Sequence, residues 1–292
     1  MRILFTADLH GQVTLYEQMF ALSKSGGADV IIMGGDILPT VIDELFDLAR
    51  GVSAYKKSLD VQIEFIDSYF IPVIREFKKE NPAKEIFYIP GNHDWNMATL
   101  HLEKNYPEAV NLHGRTVHFS GYDFTGYGCV IDSHFWVKDM VRRDTPSDTG
   151  FPGRFSCVST PEGMKLYKDN SYLDLNPSIE EELSSIKIIA PAKTVCVFHS
   201  PPYDTRIDTL HNGKPIGSRA IKDYIDRYQP LISLHGHIHE APYMTGIYRT
   251  AIGKTIAINP GHFKDDLHAV IIDMSEGEPV IRHTLFKNPD CG

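Results

Sequence analysis

The stretch Tyr88-Ile89-Pro90-Gly91-Asn92-His93-Asp94 ends an apolar run with a Pro-Gly turn and then places an amide, an imidazole and a carboxylate in consecutive positions. In a regular helix or strand the side chains of adjacent residues diverge, so three such groups could not serve one small site. A sharp turn at the end of a strand can bring them together, and open α/β sheets place their ligand sites at such turns. The stretch therefore predicts a strand at residues 86–89 that ends in a functional turn.

Four other stretches have the same pattern, an apolar run followed by side chains of the kind that bind metals. The runs at residues 2–7, 29–33, 194–198 and 231–234 lead into Asp8-Leu9-His10-Gly11, Gly34-Gly35-Asp36, His199, and His235-Gly236-His237-Ile238-His239. Asp8 and His10 are two residues apart, so in an extended chain their side chains would leave the same face. Together these stretches predict one site built from several strand ends.

The periodicity of the chain predicts an α/β fold. A helix at Val13–Ser25 between the first two strands makes a β-α-β unit with a right-handed crossover, and helical spacing recurs within residues 40–80. The C-terminal third is expected to form antiparallel strands at residues 243–247, 255–258, 269–273 and 280–285. Two sets of strands joined by helices predict two sheets packed face to face. A single doubly wound sheet is the alternative, and it is harder to reconcile with a C-terminal third made only of strands.

Domain organisation follows from what the sequence lacks. It contains no internal repeat and no low-complexity linker, so we interpret residues 1–292 as one domain. Residues 133–175 have no periodicity and are rich in glycine, proline and charged residues, which is typical of a lid, a substrate-side insertion or a mobile loop.

Composition excludes several classes of protein. A net charge of −9 with no long basic run argues against a nucleic-acid-coating protein. The four cysteines, Cys129, Cys157, Cys196 and Cys291, form no CxxC pair, so we expect no disulfide framework or zinc ribbon. No apolar run approaches the roughly 20 residues of a membrane span. Asp8 comes too early to follow a cleaved signal peptide, so a cytoplasmic location is expected.

The strand-end side chains form a ligand set without soft sulfur. Its members are Asp8, His10, Asp36, Asn92, His93, His199, His237 and His239. Oxygen and imidazole donors suit manganese, iron or zinc, and eight groups are too many for one ion. Shared between two ions they fit, with one carboxylate bridging. Two such ions about 3.5–4 Å apart can stabilise both oxygens of an in-line displacement at phosphorus.

These motifs resemble those of the calcineurin-like metallophosphoesterase family. DLH at 8–10, GD at 35–36, GNHD at 91–94, His199 and GHIH at 236–239 occur in the family's order over most of the chain. The resemblance implies a four-layer α/β/β/α sandwich of two mixed β-sheets flanked by helices. It also implies a dinuclear centre holding two divalent or trivalent ions (Mn, Fe, Zn, Ni or Co), with a metal-bridging hydroxide as the nucleophile.

The resemblance also assigns roles to individual residues. Asp8, His10 and His239 would hold one ion, and Asn92, His199 and His237 the other, with Asp36 bridging. His93 would stay off the metals and assist the leaving group, oriented by Asp94 as a His-carboxylate pair.

Departures from the family's phosphoprotein phosphatases narrow the substrate. Ile37-Leu38-Pro39-Thr40 stands where those enzymes carry Val-Asp-Arg-Gly, and their GNHE is GNHD here. The sequence is more similar to the class III cyclic nucleotide phosphodiesterase, Icc-like branch and its uncharacterised microbial relatives. It therefore favours a phosphodiesterase acting on a small phosphodiester, including a nucleotide. The alternatives are a metal-dependent nuclease, a phosphomonoesterase and a catalytically inactive scaffold.

Other polar residues have two interpretations each. We interpret His235 as a core residue, and His262, which follows Asn259-Pro260-Gly261, as part of a structural turn that could approach the site. A loop after His199 supplies candidates for substrate contact or for a solvated surface: Tyr203, Asp204, His211 and Asn212. Arg142, Arg143 and Arg154 could form a phosphate fork, although a charged surface insertion explains them more simply.

Overall fold

The computed structural model describes residues 1–40, 52–150, 155–275 and 277–286. The strands are β1 (Arg2–Thr6), β2 (Val30–Gly34), β3 (Glu85–Ile89), β4 (Val110–Asn111), β5 (Thr116–Phe119), β6 (Tyr122–Tyr127), β7 (Val130–Ile131), β8 (Val141–Arg142), β9 (Ser156–Thr160), β10 (Gly163–Tyr167), β11 (Thr194–Phe198), β12 (Ile232–Leu234), β13 (Arg249–Ile252), β14 (Thr255–Ile258), β15 (Ala269–Asp273) and β16 (Val280–His283). The helices are α1 (Val13–Ser25), α2 (Val52–Phe65), α3 (Ile71–Glu80), α4 (Asn96–Asn105), α5 (Ser171–Asp174), α6 (Ile179–Ser184), α7 (Arg219–Tyr228) and α8 (Ala241–Thr245), and a π-helical turn at Ile66–Phe70 joins α2 to α3.

The strands form two large mixed sheets. The first has the order β16-β15-β1-β2-β3-β4 and the second the order β13-β14-β12-β11-β6-β5. Strands β1 to β4 are mutually parallel, as are β6, β11, β12 and β14. The other strands of the two sheets, β5, β13, β15 and β16, pair antiparallel with their neighbours. Parallel strands direct their carboxyl ends to one edge of a sheet, which is where the polar turns lie.

Alternating side chains sort the core into layers. Ile3 and Phe5 of β1 pack between the two sheets, whereas Leu4 packs against the helices over the first sheet. In β11, Val197 faces the other sheet and Phe198 faces the layer that contains α7. Because side chains of a strand alternate between its two faces, both faces of each sheet must be covered. The predicted arrangement of two mixed sheets flanked by helices is confirmed.

The C-terminal third departs from its prediction. Residues 243–247 were expected to form a strand, but Ala241–Thr245 is helical, and β13 begins only at Arg249. Strand β14 runs parallel to β12, so its carboxyl end joins the edge where the polar turns meet. Strands β15 and β16 return to the first sheet and extend it beyond β1.

The stretch at 133–175 has more regular structure than its sequence indicates. It contains β8, the antiparallel hairpin of β9 and β10, and α5. Val137 and Cys157 are buried in the core cluster of the first sheet's helical layer. A role of this insertion as a lid stays a prediction. The cysteines at 129, 157 and 196 are buried free thiols, as expected, and Cys291 lies outside the described residues.

Within the described part of the chain, no helix combines the length and apolarity that crossing a membrane would require.

Candidate metal centre

The carboxylate of Asp36, in the turn after β2, lies at the middle of the converging side chains. Its Oδ2 atom is 3.4 Å from Nε2 of His199, 3.9 Å from Nε2 of His93 and 4.0 Å from Nε2 of His10. These imidazoles come from turns after three different strands of both sheets. At Asp36, therefore, turns from both sheets meet.

One group of ligand atoms lies on the β1 side of Asp36. Nε2 of His239 is 3.3 Å from Oδ1 of Asp8 and 3.4 Å from Nε2 of His10. Together with Asp36, these residues place four ligand atoms within 4.8 Å of one another. Carboxylate and imidazole donors gathered in this way could hold a metal ion.

A second group lies on the other side of Asp36. Nε2 of His199 is 3.2 Å from Oδ1 of Asn92, and the ring of His237 lies 5.2 Å from that of His199. Nδ1 of His199 lies 2.8 Å from the carbonyl oxygen of Gly34. A carbonyl oxygen can only accept, so Nδ1 carries the proton and the lone pair of Nε2 faces the centre, which is the arrangement of a metal-binding histidine.

The backbone at the centre is held in an uncommon conformation. Asp8, His10, Asp36 and His237 have φ values of 59°, 45°, 51° and 68°. Residues other than glycine rarely adopt this left-handed region, and where they do they cluster at functional sites. The turn after β1 is thus not extended. The expectation that an extended chain puts the side chains of Asp8 and His10 on one face does not explain why they lie close together. The amides of Asp8 and His10 instead donate to the carbonyls of Gly35 and Asp36, over 3.0 and 2.8 Å.

Glycine at position 91 leaves room for the ligand atoms. A Cβ atom on Gly91 would lie 2.3 Å from Oδ1 of Asp36 and 2.7 Å from Nε2 of His199. Real Cβ atoms essentially never approach other atoms so closely. Position 91 must therefore be glycine, because two candidate ligands, Asp36 and His199, occupy the space that a side chain would need.

The charges at the centre favour a cation. Burial alone would raise the pKa of Asp8 and of Asp36, but neighbouring histidines outweigh it and hold both pKa values below the usual range. Burial lowers the pKa of His10 and of His237 to about 3, so both rings are neutral donors. For His199, burial is outweighed by the Asp36 carboxylate, which raises the pKa to about 9. Without an ion Nε2 therefore also holds a proton at neutral pH, and a bound cation would take the place of that proton.

The spacing of the donors also fits a metal. Ligands about 2.1 Å from an octahedral ion lie roughly 3.0 Å from their neighbours in the coordination shell. Within each of the two groups, the closest donor atoms are 3.2–3.4 Å apart. Small shifts of the side chains would bring them to ligand distance.

His93 and Asp94 do not form the expected pair. The carboxylate of Asp94 accepts hydrogen bonds from the backbone amides of Ile37, Leu38 and Gly91, over 3.1, 2.8 and 2.8 Å. Nδ1 of His93 is buried and has no hydrogen-bond partner among the described residues. The expectation that Asp94 orients His93 is therefore wrong, because Asp94 instead fixes the backbone of two turns. Burial and the nearby Asp36 raise the pKa of Asp94 to about 7.

An aromatic residue that the sequence interpretation overlooked contacts His93. The rings of His93 and Phe135 lie 4.4 Å apart. Phe135 belongs to the insertion, so this part of the chain reaches the candidate centre. The sequence did contain a signal for this contact: two adjacent aromatic residues, Phe135 and Trp136, stand in an otherwise polar stretch.

Of the other histidines singled out, His235 is core and His262 is near the centre. His235 is buried, with its ring nitrogens 2.7 Å from Oγ of Ser233 and 2.9 Å from the carbonyl oxygen of Ser200. The ring of His262 lies 5.2 Å from that of His239 and 5.9 Å from that of His10. Since β14 runs parallel to β12, the turn that follows it ends beside the same site.

The arginines do not form the suggested phosphate fork. Arg142 binds Glu182 over 3.2 Å and two backbone carbonyls. Arg143 donates to the carbonyl oxygens of Pro146 and Asn176. Arg154 lies outside the described residues.

One solved structure shares this fold over nearly the whole chain. This crystal structure is 18% identical and aligns over 97% of this chain and 98% of the other with a TM-score of 0.64. An archaeal phosphodiesterase (13% identity, 97% and 99% coverage) and a dimetal phosphatase from Danio rerio (13% identity, 97% and 95% coverage) give TM-scores of 0.41 and 0.49. No curated protein matches the sequence.

The model of one protein family matches residues 1–241, which include every turn of the candidate centre. The chain belongs to the calcineurin-like phosphoesterase family.

Proposed function

We propose that this protein is a dinuclear metal-dependent phosphodiesterase that hydrolyses a small phosphodiester. The observation that carries the proposal is the position of Asp36, whose Oδ2 atom lies within 4.0 Å of imidazole nitrogens on both sides. A carboxylate so placed can be shared by two cations. Membership of the family supports phosphoric ester hydrolysis as the reaction class.

The two groups of ligand atoms support the assignment of two ions. Asp8, His10 and His239 would hold one ion and Asn92, His199 and His237 the other, with Asp36 between them. When bound, such ions stabilise charge on phosphoryl oxygens and lower the pKa of water toward neutrality, which supplies a nucleophile. The identity of the metal follows from none of these residues, since the same donors accept several ions.

We assign His93 to the substrate rather than to an ion. Its Nε2 atom faces the centre, 3.9 Å from Oδ2 of Asp36, and its amide donates to Oδ1 of the same carboxylate over 2.8 Å. Burial lowers the pKa of His93, and an anionic phosphoryl group beside the ring would raise that pKa again. A histidine held at this position can hydrogen-bond a phosphoryl oxygen and give a proton to the departing alcohol. Asp94 does not hold His93. The ring contact with Phe135 and the hydrogen bond from the His93 backbone amide to Asp36 fix its position instead.

Among the described residues, the arginines that could grip a phosphate are not available at the centre, which favours a diester over a monoester. Pro39 stands where a phosphoprotein phosphatase has an arginine, and Arg142 and Arg143 are bound elsewhere. A diester carries one negative charge and a monoester up to two, so a monoester gains more from an additional cation.

The test is hydrolysis of bis-p-nitrophenyl phosphate and p-nitrophenyl phosphate by protein reconstituted with Mn, Fe, Ni, Co or Zn. We expect metal-dependent turnover with a preference for the diester, and two ions per chain by elemental analysis. Asp36→Asn should lose both ions, because the shared carboxylate is gone. Activity with one ion per chain would refute the dinuclear assignment, and preference for the monoester would favour the phosphomonoesterase.

Degradation of single-stranded DNA would favour the nuclease alternative, and binding of metal without turnover of any ester would favour the inactive scaffold. The cytoplasmic location and the single domain stay predictions.

A further inference from the structure

A cavity of about 440 Å³ opens beside the candidate metal centre. His239 lines it together with Tyr243, His262, Phe263 and Lys264. Because His239 also belongs to the four-residue ligand group, the cavity adjoins the place where a phosphoryl group would be bound. A larger cavity of about 540 Å³ elsewhere is lined by none of the proposed ligands.

Two aromatic rings form an unusually exposed wall of this cavity. Tyr243 and Phe263 keep 46% and 48% of their surface accessible, and their rings lie 5.2 Å apart at an angle of 52°. Nζ of Lys264 lies 4.9 Å from the centre of the Phe263 ring. Large aromatic side chains are usually covered in a folded protein. Half-exposed rings in a concave surface are thus suited to contact a ligand.

The position of Tyr243 is fixed by neighbours behind it. Its hydroxyl lies 2.9 Å from Nε2 of His268, and Nδ1 of His268 lies 3.2 Å from the carbonyl oxygen of Pro260. The carbonyl can only accept, so Nδ1 carries the proton and Nε2 accepts from the tyrosine hydroxyl. The ring of Phe286 packs 5.1 Å from that of Tyr243. The wall is preformed, so little conformational entropy would be lost when a ligand binds.

We propose that this cavity binds an aromatic substituent of the substrate, a nucleobase or an aryl group, while the phosphoryl group lies at the metal centre. This proposal rests on the proposed function, since it requires a phosphoester at that centre. An aryl ester can stack its ring on Phe263 and Tyr243, which an alkyl ester of the same charge cannot do. The cavity therefore selects for aromatic esters.

The test compares the binding of phenyl phosphate and ethyl phosphate to the manganese-reconstituted protein by calorimetry. Each ligand has one substituent and the same phosphate group, so the ratio of their dissociation constants measures what the cavity contributes to binding. We expect phenyl phosphate to bind about tenfold more tightly, equivalent to about 1.4 kcal/mol.

Three variants assign the preference to the aromatic wall. Phe263→Ala should lower the ratio, because only the Tyr243 ring then remains to contact the aromatic substituent, and Phe263→Tyr, which keeps the ring, should preserve it. Tyr167→Ala is the matched control, because Tyr167 has the same kind of contact, with Nζ of Lys165 4.6 Å from its ring centre, but does not line the cavity. It should leave the ratio unchanged.

Equal binding of the two esters to the unmodified protein, or a preference that Phe263→Ala does not lower, would overturn the proposal and leave the proposed function standing. If neither ester binds and bis-p-nitrophenyl phosphate is not hydrolysed, the proposed function fails and this proposal fails with it.

Discussion

Replacing Gly91 by alanine adds one methyl group at the most crowded point of the candidate centre. The new Cβ would lie 2.3 Å from Oδ1 of Asp36, 2.4 Å from its backbone nitrogen and 2.7 Å from Nε2 of His199. Backbone atoms cannot rotate away, so the two turns must separate. Overpacking of this kind typically destabilises a protein by about 1–3 kcal/mol.

The effect on metal binding should be larger than this loss of stability indicates. Asp36 is the proposed ligand of both ions and His199 of one, so displacing the two side chains together misplaces donor atoms for both ions. Mutations that only disturb the orientation of metal ligands typically weaken metal binding by about 10–100-fold. We expect at least that loss for Gly91→Ala, with a corresponding loss of diester hydrolysis.

Gly114→Ala supplies the matched control. Gly114 has a φ of +70°, and a Cβ there would meet no atom within 4 Å. The left-handed conformation costs a residue with a side chain roughly 1–2 kcal/mol, so the two variants should lose similar stability. Only Gly91→Ala should lose metal.

The assays are the free energy of unfolding from urea denaturation and the bound metal by elemental analysis after titration with Mn²⁺. If Gly91→Ala binds two ions with unchanged affinity, the donor atoms of Asp36 and His199 do not form the centre described here. Equal loss of metal in both variants would instead mean that metal binding follows global stability.

Three further outcomes are expected. His93→Ala should lower kcat by about 10²–10⁴-fold with an unchanged metal content, because a general acid is lost and no ligand is; loss of metal would make His93 a ligand. Asp94→Ala should destabilise the protein by about 3 kcal/mol or more, because three buried amides lose their acceptor; a fall in kcat at unchanged stability would restore the role as an orienting residue. Burial raises the pKa of Asp139 to about 6, so between pH 4 and 6 the folded state holds a proton that the unfolded chain has released. The contribution of Asp139 to the free energy of unfolding should therefore fall by at most roughly 3 kcal/mol as the pH rises from 4 to 6. The same titration of Asp139→Asn should be flatter over that range, and identical slopes would contradict the assignment.

The local sequence pattern predicted the bounds of a helix or strand correctly where the segment was long or was ended by clear breaker residues. The helix at Val13–Ser25 and the strand at Thr194–Phe198 have the bounds that the sequence predicts. An apolar run closed by glycine and polar residues is recognisable without knowledge of its neighbours. For short segments the pattern failed, since five residues such as those at 241–245 do not distinguish a helical turn from a strand.

The sequence by itself determined the motifs, the family resemblance and the two-sheet fold, because each depends on residue types in a fixed order along the chain. Only the tertiary structure decided that Asp94 bonds backbone amides instead of His93, and that Phe135 and His262 reach the centre. Those contacts join residues far apart in the chain, and they depend on which strands pair and in which direction. A side chain's neighbours in space are set by that pairing, which no local pattern encodes.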